Sequence, residues 1–299
     1  MKPAHIALAV LVAAIWGFAF VATKVGLESF SPSQLTAIRF LVACLPVFFL
    51  SRPSISWAWL IGIGLFLFAA QFLLLFFGIA NGMPAGLASI TMQVQAFFTI
   101  VIAAAVLRDV PTARQSAGCG VALVGLILIG LTVGQDLTFL GLSLTLGGAL
   151  SWAVGNVLVK RFGHVDMLSL MVWLSLVPPL PALAVSAAMG DRPSLIAALT
   201  QASWLSIAAA LYLGLVATVF AYAVWGKLLR GYPTALVAPF ALLAPCTGVV
   251  SSAIVFGERF GALRSLGMGL ILLGLAITVV TPERVPLLRA IVRRGRSDR

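Results

Sequence analysis

The sequence predicts an all-α polytopic membrane protein, with ten transmembrane helices arranged as two inverted five-helix repeats around a central cavity. Three observations lead to this fold class: the composition, a series of long apolar runs and an internal repeat. Hydrophobic residues make up 62% of the 299-residue chain and charged residues 9%, and the mean hydropathy is +1.14. A soluble domain contains about 25% charged residues. The chain is therefore expected to lie in a lipid bilayer.

Ten apolar runs reach the length of about 17 to 25 residues that a helix needs to cross about 30 Å of hydrocarbon. They occupy most of the chain and leave no room for a soluble catalytic domain. The runs lie near residues 4–23, 33–51, 57–80, 85–107, 114–133, 139–159, 167–189, 203–226, 234–256 and 263–281.

The second half of the chain repeats the first. Residues 83–125 recur as residues 232–274, and the first run matches the sixth with Lys24 aligned on Lys160. Because each half holds five spans, an odd number, the second copy must enter the membrane from the opposite face. The predicted units are a first repeat over residues 1–135, a second repeat over residues 136–282 and a basic tail over residues 283–299.

The distribution of charge predicts the orientation. Most of the 19 lysines and arginines flank the runs on the side that would carry both termini. Positive loops stay in the cytoplasm, so both termini are expected there. For the basic tail, anchoring to anionic lipid is favoured over binding to nucleic acid.

The first run follows Lys2 and could be a secretory signal, but its match in the sixth run favours a retained helix. Prolines near the ends of the second and seventh runs, Pro46 and Pro179, are candidate hinges because proline removes a helix hydrogen bond. The alternative is that they simply fall at helix ends. In the ninth run, Pro239 and Pro245 are also candidate hinges, whose freed carbonyls could line a cavity.

Two further segments have predicted roles. The loop over residues 190–202 contains PSLIAAL, which could form a short interfacial helix. Glycines spaced along the fifth and tenth runs predict a close packing seam, either within the bundle or between two copies of the chain, so a monomer and a homodimer both remain open. These glycines are Gly118, Gly120, Gly125, Gly130, Gly267, Gly269 and Gly274.

Arg39 is the charged residue that lies well inside an apolar run. A cation within the membrane is costly, so Arg39 is a candidate for binding a substrate carboxylate. The alternative is that its long side chain reaches the membrane interface or bonds carbonyls at a helix end.

Uncharged side chains supply the other candidate substrate contacts. Gln93 lies one helical turn after Ser89 and offers an amide that can bond both ends of a zwitterion. Packing between helices is the alternative for such polar residues. Aromatic side chains with a few hydrogen-bond donors favour an uncharged cavity for amphipathic molecules, or else a belt at the membrane interface. The candidates of this second kind are Trp16, Phe20, Trp152, Asn156 and Tyr222.

Enzymatic chemistry is not indicated. The acidic residues fall at helix ends or in loops, so no relay of buried carboxylates is visible to couple protons or sodium to transport. His5 and His164 lie at span ends, and no nucleophile with a base or metal-ligand spacing occurs, so no cofactor or metal is expected.

Four stretches resemble the EamA-type members of the drug/metabolite transporter superfamily. They are IWGFAFVATKVG at 15–26, PSQLTAIRFLVA at 32–43, LRDV at 107–110 and LLAPCTGVVSSAIVFGERF at 242–260. The resemblance implies ten helices in two inverted repeats, a central cavity and export of metabolites. Ala96 stands where many relatives carry proline, and Asp109 where many carry glutamate, so the two halves are not expected to act identically.

The chain also resembles the YddG-like branch of amino-acid exporters. That resemblance implies outward movement of aromatic and other neutral amino acids, and the inverted repeats favour alternating access. Two alternatives stay open: export of drugs, nucleosides or other small metabolites, and a different class of protein, either a pore or a membrane scaffold that does not transport.

Overall fold

The computed structural model describes residues 1–108, 110–134, 136–162 and 165–279. Asp109, His164 and the predicted basic tail lie outside these residues. The described chain holds ten helices long and apolar enough to cross a membrane. They are α1 Pro3–Gly26, α2 Pro32–Phe49, α3 Trp57–Ala80, α4 Ala85–Val106, α5 Ala113–Gly130, α6 Phe139–Val159, α7 Met167–Met189, α8 Trp204–Gly231, α9 Ala238–Phe256 and α10 Ala262–Val279.

The predicted spans are confirmed, and most helix ends fall within a few residues of the apolar runs. The helices contain 18 to 28 residues. At 1.5 Å per residue even the shortest is about 27 Å long, close to the thickness of the hydrocarbon core. Length and apolar composition alone therefore determine this level of the structure, and the protein is a multi-pass membrane protein.

The connections between helices lie on two faces. At the N-terminal face, which carries residue 1, the Nδ1 atom of His5 lies 2.7 Å from the hydroxyl of Tyr232 in the α8–α9 connection. At the opposite face, the hydroxyls of Ser31 and Ser33 at the start of α2 donate to the Asp191 carboxylate in the α7–α8 connection. Each of these contacts joins segments that are expected on the same face when the ten helices alternate in direction.

The glycine seam between α5 and α10 is present within the bundle. A Cβ atom added at Gly125 would lie 2.5 Å from the carbonyl oxygen of Gly267, and one added at Gly274 would lie 2.5 Å from that of Gly118. The two backbones touch at these points, as the small-residue spacing predicts. Gly120, Gly130 and Gly269 do not belong to the seam, because a Cβ there would have no atom of the described residues within 4 Å.

Prolines coincide with irregular turns in three helices. Pro46 lies in a 3₁₀ segment, Leu45–Phe49, that ends α2, and Pro239 lies in another, Ala238–Leu242, that begins α9. Regular helix in α7 stops at Leu174 and resumes at Pro179. The missing N–H of proline explains each local change of hydrogen bonding. Movement about these positions stays a prediction.

Two π-helical segments were not predicted. They cover Leu65–Ala70 in α3 and Tyr212–Phe220 in α8, and these helices hold the same place in the two repeats. A π-helical turn inserts one extra residue and often accompanies a functional site. Nothing in the apolar pattern distinguishes such a turn from ordinary helix.

The loop before α8 forms the short helix expected there, Leu195–Gln201, with Ala198 buried. The Gln34 side chain at the start of α2 donates to the carbonyl of Pro193 just before it, with 2.8 Å between the atoms. The short helix therefore lies at the opposite face, next to the start of α2.

Candidate functional site

Arg39 lies between the two repeats. It is the eighth residue of α2, so it lies about 10 Å along the axis from Pro32. Its Nη2 atom donates to the Thr218 hydroxyl on α8 at 3.2 Å, and its Cζ atom lies 3.9 Å from the centre of the Phe72 ring on α3. The residue is only 5% exposed. The guanidinium therefore stacks inward on an aromatic ring and does not extend to the protein surface.

The local sequence holds Arg39 in this place. Ser31 and Gln34 cap the first turn of α2 reciprocally, which fixes where the helix begins. On α8, a Cβ added at Gly214 would lie 2.8 Å from the carbonyl oxygen of Arg39, so glycine there lets the two helices touch. The π-helical turn of α8 then directs the Thr218 hydroxyl to the carbonyl of Leu213, at 2.8 Å, while it accepts from Arg39.

The charge of Arg39 is incompletely satisfied. Its Nε atom is buried without a hydrogen-bond partner, and no carboxylate among the described residues pairs with the guanidinium. A cation–π contact offsets part of the cost of burial. A buried N–H donor without an acceptor still costs about 1 to 3 kcal/mol. The arrangement therefore leaves a planar donor free to bind an anionic oxygen.

Aromatic rings surround the Arg39 side chain. Phe72 packs edge-on against Phe40 with ring centroids 5.3 Å apart. Trp152 and Tyr222 contact the same hydrophobic cluster as Phe72. Two predicted residues, Trp152 and Tyr222, thus pack against the same cluster as the ring on which Arg39 stacks.

Trp16 and Phe20 are the two predicted contacts that lie on α1. The Trp16 ring is 5.4 Å from that of Tyr222, and its Nε1 atom donates to the carbonyl of Ala217 at 3.1 Å. Phe20 is partly buried and packs against the largest hydrophobic cluster of the protein. Trp16 and Tyr222 are half-buried and face each other, and their contact with a substrate stays a prediction.

Polar amides join the two repeats on another side. Asn156 on α6 donates through Nδ2 to the Oε1 atom of Gln95 on α4, at 2.8 Å.

Gln93 is half-buried in a short 3₁₀ turn, Met92–Val94, and in the described part of the chain its amide has no hydrogen-bond partner. Ser89, by contrast, is buried and donates to the carbonyls of Gly86 and Pro245. Ser89 thus serves packing, and Gln93 keeps a free amide.

A second polar network lies at the opposite face and was not predicted. Glu258, just after α9, pairs with Lys24 at the end of α1, with 3.0 Å between Nζ and Oε1. The same carboxylate accepts from the backbone N–H groups of Ala85 and Gly86 at the start of α4, both at 3.0 Å. One side chain of the second repeat therefore joins two helices of the first.

The Glu258 carboxyl is held in its ionised form. Burial alone would raise its pKa, but hydrogen bonds from Ser252, the Gly86 N–H and Lys24 outweigh that effect and hold the pKa below its ordinary value of 4.5. The carboxylate is thus charged at neutral pH.

Sequence reasoning missed four contributors to these networks. Phe72 and Thr218 lie in other apolar runs than Arg39, and only the three-dimensional packing brings them together. Gln95 was not among the predicted contacts, yet it is the amide that pairs with Asn156. Glu258 aligns with Asp109 in the repeat, which marked the position without indicating its partner.

Comparison with known proteins identifies a match over nearly the whole chain. The model of the family described as "EamA-like transporter family" matches residues 4–131 and 139–280. Two proteins called "Probable amino-acid metabolite efflux pump", from Escherichia coli (strain K12) and from Salmonella typhimurium (strain LT2), are each 40% identical over 279 residues, 91% of this chain and 93% of theirs.

One crystal structure, described only as that of a protein, superposes with a TM-score of 0.59 at 18% identity. The superposition covers 93% of this chain and 98% of that chain. A likeness at this level of identity supports the fold alone.

Proposed function

Because the chain belongs to the EamA-like transporter family, we propose that it exports neutral amino acids, aromatic ones among them, across the bacterial inner membrane by alternating access. Two relatives at 40% identity carry names of amino-acid metabolite efflux pumps, which supports this substrate class. Two repeats of five helices support alternating access, since exchange of their conformations would open each face in turn.

The observation that carries the proposal is the buried Arg39 with its unpartnered Nε. A substrate carboxylate would supply the anion that this site lacks, and the planar guanidinium suits two parallel hydrogen bonds to it. The Thr218 hydroxyl would hold the guanidinium in place. We propose Arg39 as the residue that binds the carboxylate.

The other end of the substrate would meet uncharged groups. The free amide of Gln93 can accept from an ammonium group, and Asn156 with Gln95 offers a second polar surface. Trp16, Phe20, Trp152 and Tyr222 would contact an apolar side chain. An aromatic surface of this kind suits neutral amino acids better than charged ones.

The N-terminal face is proposed to be cytoplasmic, because most basic residues flank that face. Lys24 would then face the periplasm and Lys160 the cytoplasm. In intact spheroplasts, an amine-reactive label that cannot cross the membrane should modify the Lys24 side chain and leave Lys160 unmodified. Modification of both from the same face would contradict the inverted arrangement.

Counterflow in proteoliposomes tests the function. Vesicles loaded with one unlabelled amino acid should take up the labelled amino acid transiently, with saturation, and other neutral amino acids should compete. Competition by nucleosides or drugs alone would favour the alternative substrates. Flux without saturation or counterflow would indicate a pore, and no flux would favour a scaffold.

A further inference from the structure

At the opposite face, the Lys24–Glu258 ion pair lies where three helices converge. Lys24 ends α1, Glu258 follows α9, and Gly86 lies in the first turn of α4. The Glu258 side chain is 8% exposed and that of Lys24 38% exposed. Lys24 also lies over the ring of Phe256, with Nζ 4.2 Å from its centre. A pair this enclosed is screened less by salt than a surface pair.

The same three helices touch below the pair, toward the middle of the membrane. A Cβ added at Gly17 on α1 would overlap the hydroxyl of Thr247 on α9, and one added at Gly248 would lie 2.5 Å from the Cβ of Ser89 on α4. There is no room for a solute between these backbones. In this state the route between α1, α4 and α9 to the opposite face is closed.

Opening that route requires α9 to move away from α1 and α4, and this separation breaks every contact of the Glu258 carboxylate with the first repeat. We propose that the Lys24–Glu258 pair is a reversible latch that holds the opposite face closed and is released when solute leaves there. The inference rests on the alternating-access part of the proposed function. It assigns a gating role to two residues outside the candidate substrate site.

A second ion pair at the same face provides a matched comparison. Arg264 on α10 pairs with Asp136, with 2.6 Å between Nη1 and Oδ1, and also donates through Nε to the Thr132 hydroxyl. This pair lies beside the glycine seam of α5 and α10, where the backbones already touch along the helices. Separation of α1 from α9 leaves that seam intact, so the Arg264–Asp136 pair is not expected to act as a latch.

Distance measurement between spin labels tests the latch without any substrate. On a background in which Cys44, Cys119 and Cys246 are replaced by alanine, labels are attached at exposed positions after α1 and in the last turn of α9, using Glu28→Cys and Val255→Cys. The parent protein should show mainly the short distance. Glu258→Gln and Lys24→Met should each raise the ratio of long to short distances about tenfold, the change that about 1.4 kcal/mol produces.

The control is Asp136→Asn, which also removes one carboxylate charge from an ion pair at this face. It should leave the distance ratio within about twofold of the parent, since the seam there is held by glycine packing. If Glu258→Gln fails to fold, Lys24→Met decides the question, because it keeps an apolar chain over Phe256 and leaves the Glu258 hydrogen bonds to α4.

Two results would overturn the latch: unchanged distances in the folded Glu258 or Lys24 variant, or equal widening with Asp136→Asn. Failure of the proposed function would look different. If the label distance increases on loss of the ion pair but the protein transports no amino acid, the latch is supported and the proposed substrate class is contradicted. If the protein transports amino acids but the label distances do not change in the variants, the proposed function is supported and the latch is contradicted.

Discussion

Asn156 on α6 donates a hydrogen bond to Gln95 on α4, 2.8 Å between Nδ2 and Oε1, across the boundary between the two repeats. Both side chains are half-buried within apolar helices. An amide pair in such surroundings is stronger than in water. The Gln95 oxygen also accepts from the Thr99 hydroxyl, but at the longer distance of 3.5 Å. The contact therefore links the position of α6 to that of α4.

Asn156→Leu should lower export severalfold with little loss of folded protein. Leucine keeps the branched shape but cannot donate, so the Gln95 carbonyl oxygen retains only the longer contact from the Thr99 hydroxyl, at 3.5 Å. Initial rates of counterflow at saturating and low substrate would measure the effect. Asn81→Leu, at the exposed end of α3, should leave both rates unchanged. Full activity of Asn156→Leu would remove this pair from the transport path.

Arg39→Lys should lower transport about tenfold or more. Lysine keeps the charge but loses the planar fork, the stack on Phe72 and the bond from Nη2 to Thr218. Apparent affinity should fall more for amino acids than for their amides, which lack the carboxylate. Both can be compared by competition in one counterflow assay.

Arg52→Lys is the matched control for this change. Arg52 also lies over an aromatic ring, with Cζ 4.3 Å from the centre of Trp57, but it lies at the N-terminal face and bonds a carbonyl there. Its replacement should leave transport near the level of the parent. Equal loss in both variants would indicate a general effect on folding, and a fully active Arg39→Lys would remove Arg39 from carboxylate binding.

Features that depend on the order of residues along one helix could be predicted from the sequence. Span limits follow from hydrophobic length, and the glycine seam follows from residue size. Side-chain contacts between helices could not be predicted. Nothing in the local sequence relates Arg39 to Phe72 and Thr218, or Lys24 to Glu258. Which glycines face the seam was also unpredictable: Gly125 and Gly120 differ only in rotation about the same helix.

Gln93→Ala should weaken export while the protein still folds. The Gln93 amide has no partner among the described residues, so its removal leaves no buried group unsatisfied. Any loss of transport would then come from contact with substrate. The apparent KM for uptake in counterflow should rise several-fold, and melting in detergent should stay unchanged. Unchanged transport would take Gln93 out of the site.

Gly125→Ala should destabilise the protein by about 1 to 3 kcal/mol, the usual cost of overpacking. The new methyl group would lie 2.5 Å from the Gly267 carbonyl oxygen, so α5 and α10 must move apart. Gly120→Ala, on the open side of the same helix, should be neutral or slightly stabilising, because alanine favours helix. Thermal unfolding in detergent compares them. Equal melting temperatures would mean that the seam tolerates separation.

Protonation of Glu258 should release the contact between α1, α4 and α9 only in acid. Its folded-state pKa lies below 4.5, so the carboxylate stabilises the folded protein fully above pH 4.5. That contribution is lost as pH falls through the lowered pKa. The difference in melting temperature between the parent and Glu258→Gln should therefore stay constant from pH 8 to about pH 5 and shrink at lower pH. Asp136→Asn serves as the comparison at each pH. A difference that already shrinks near neutral pH would mean that hydrogen bonds from Ser252, Gly86 and Lys24 do not hold the carboxylate in its charged form.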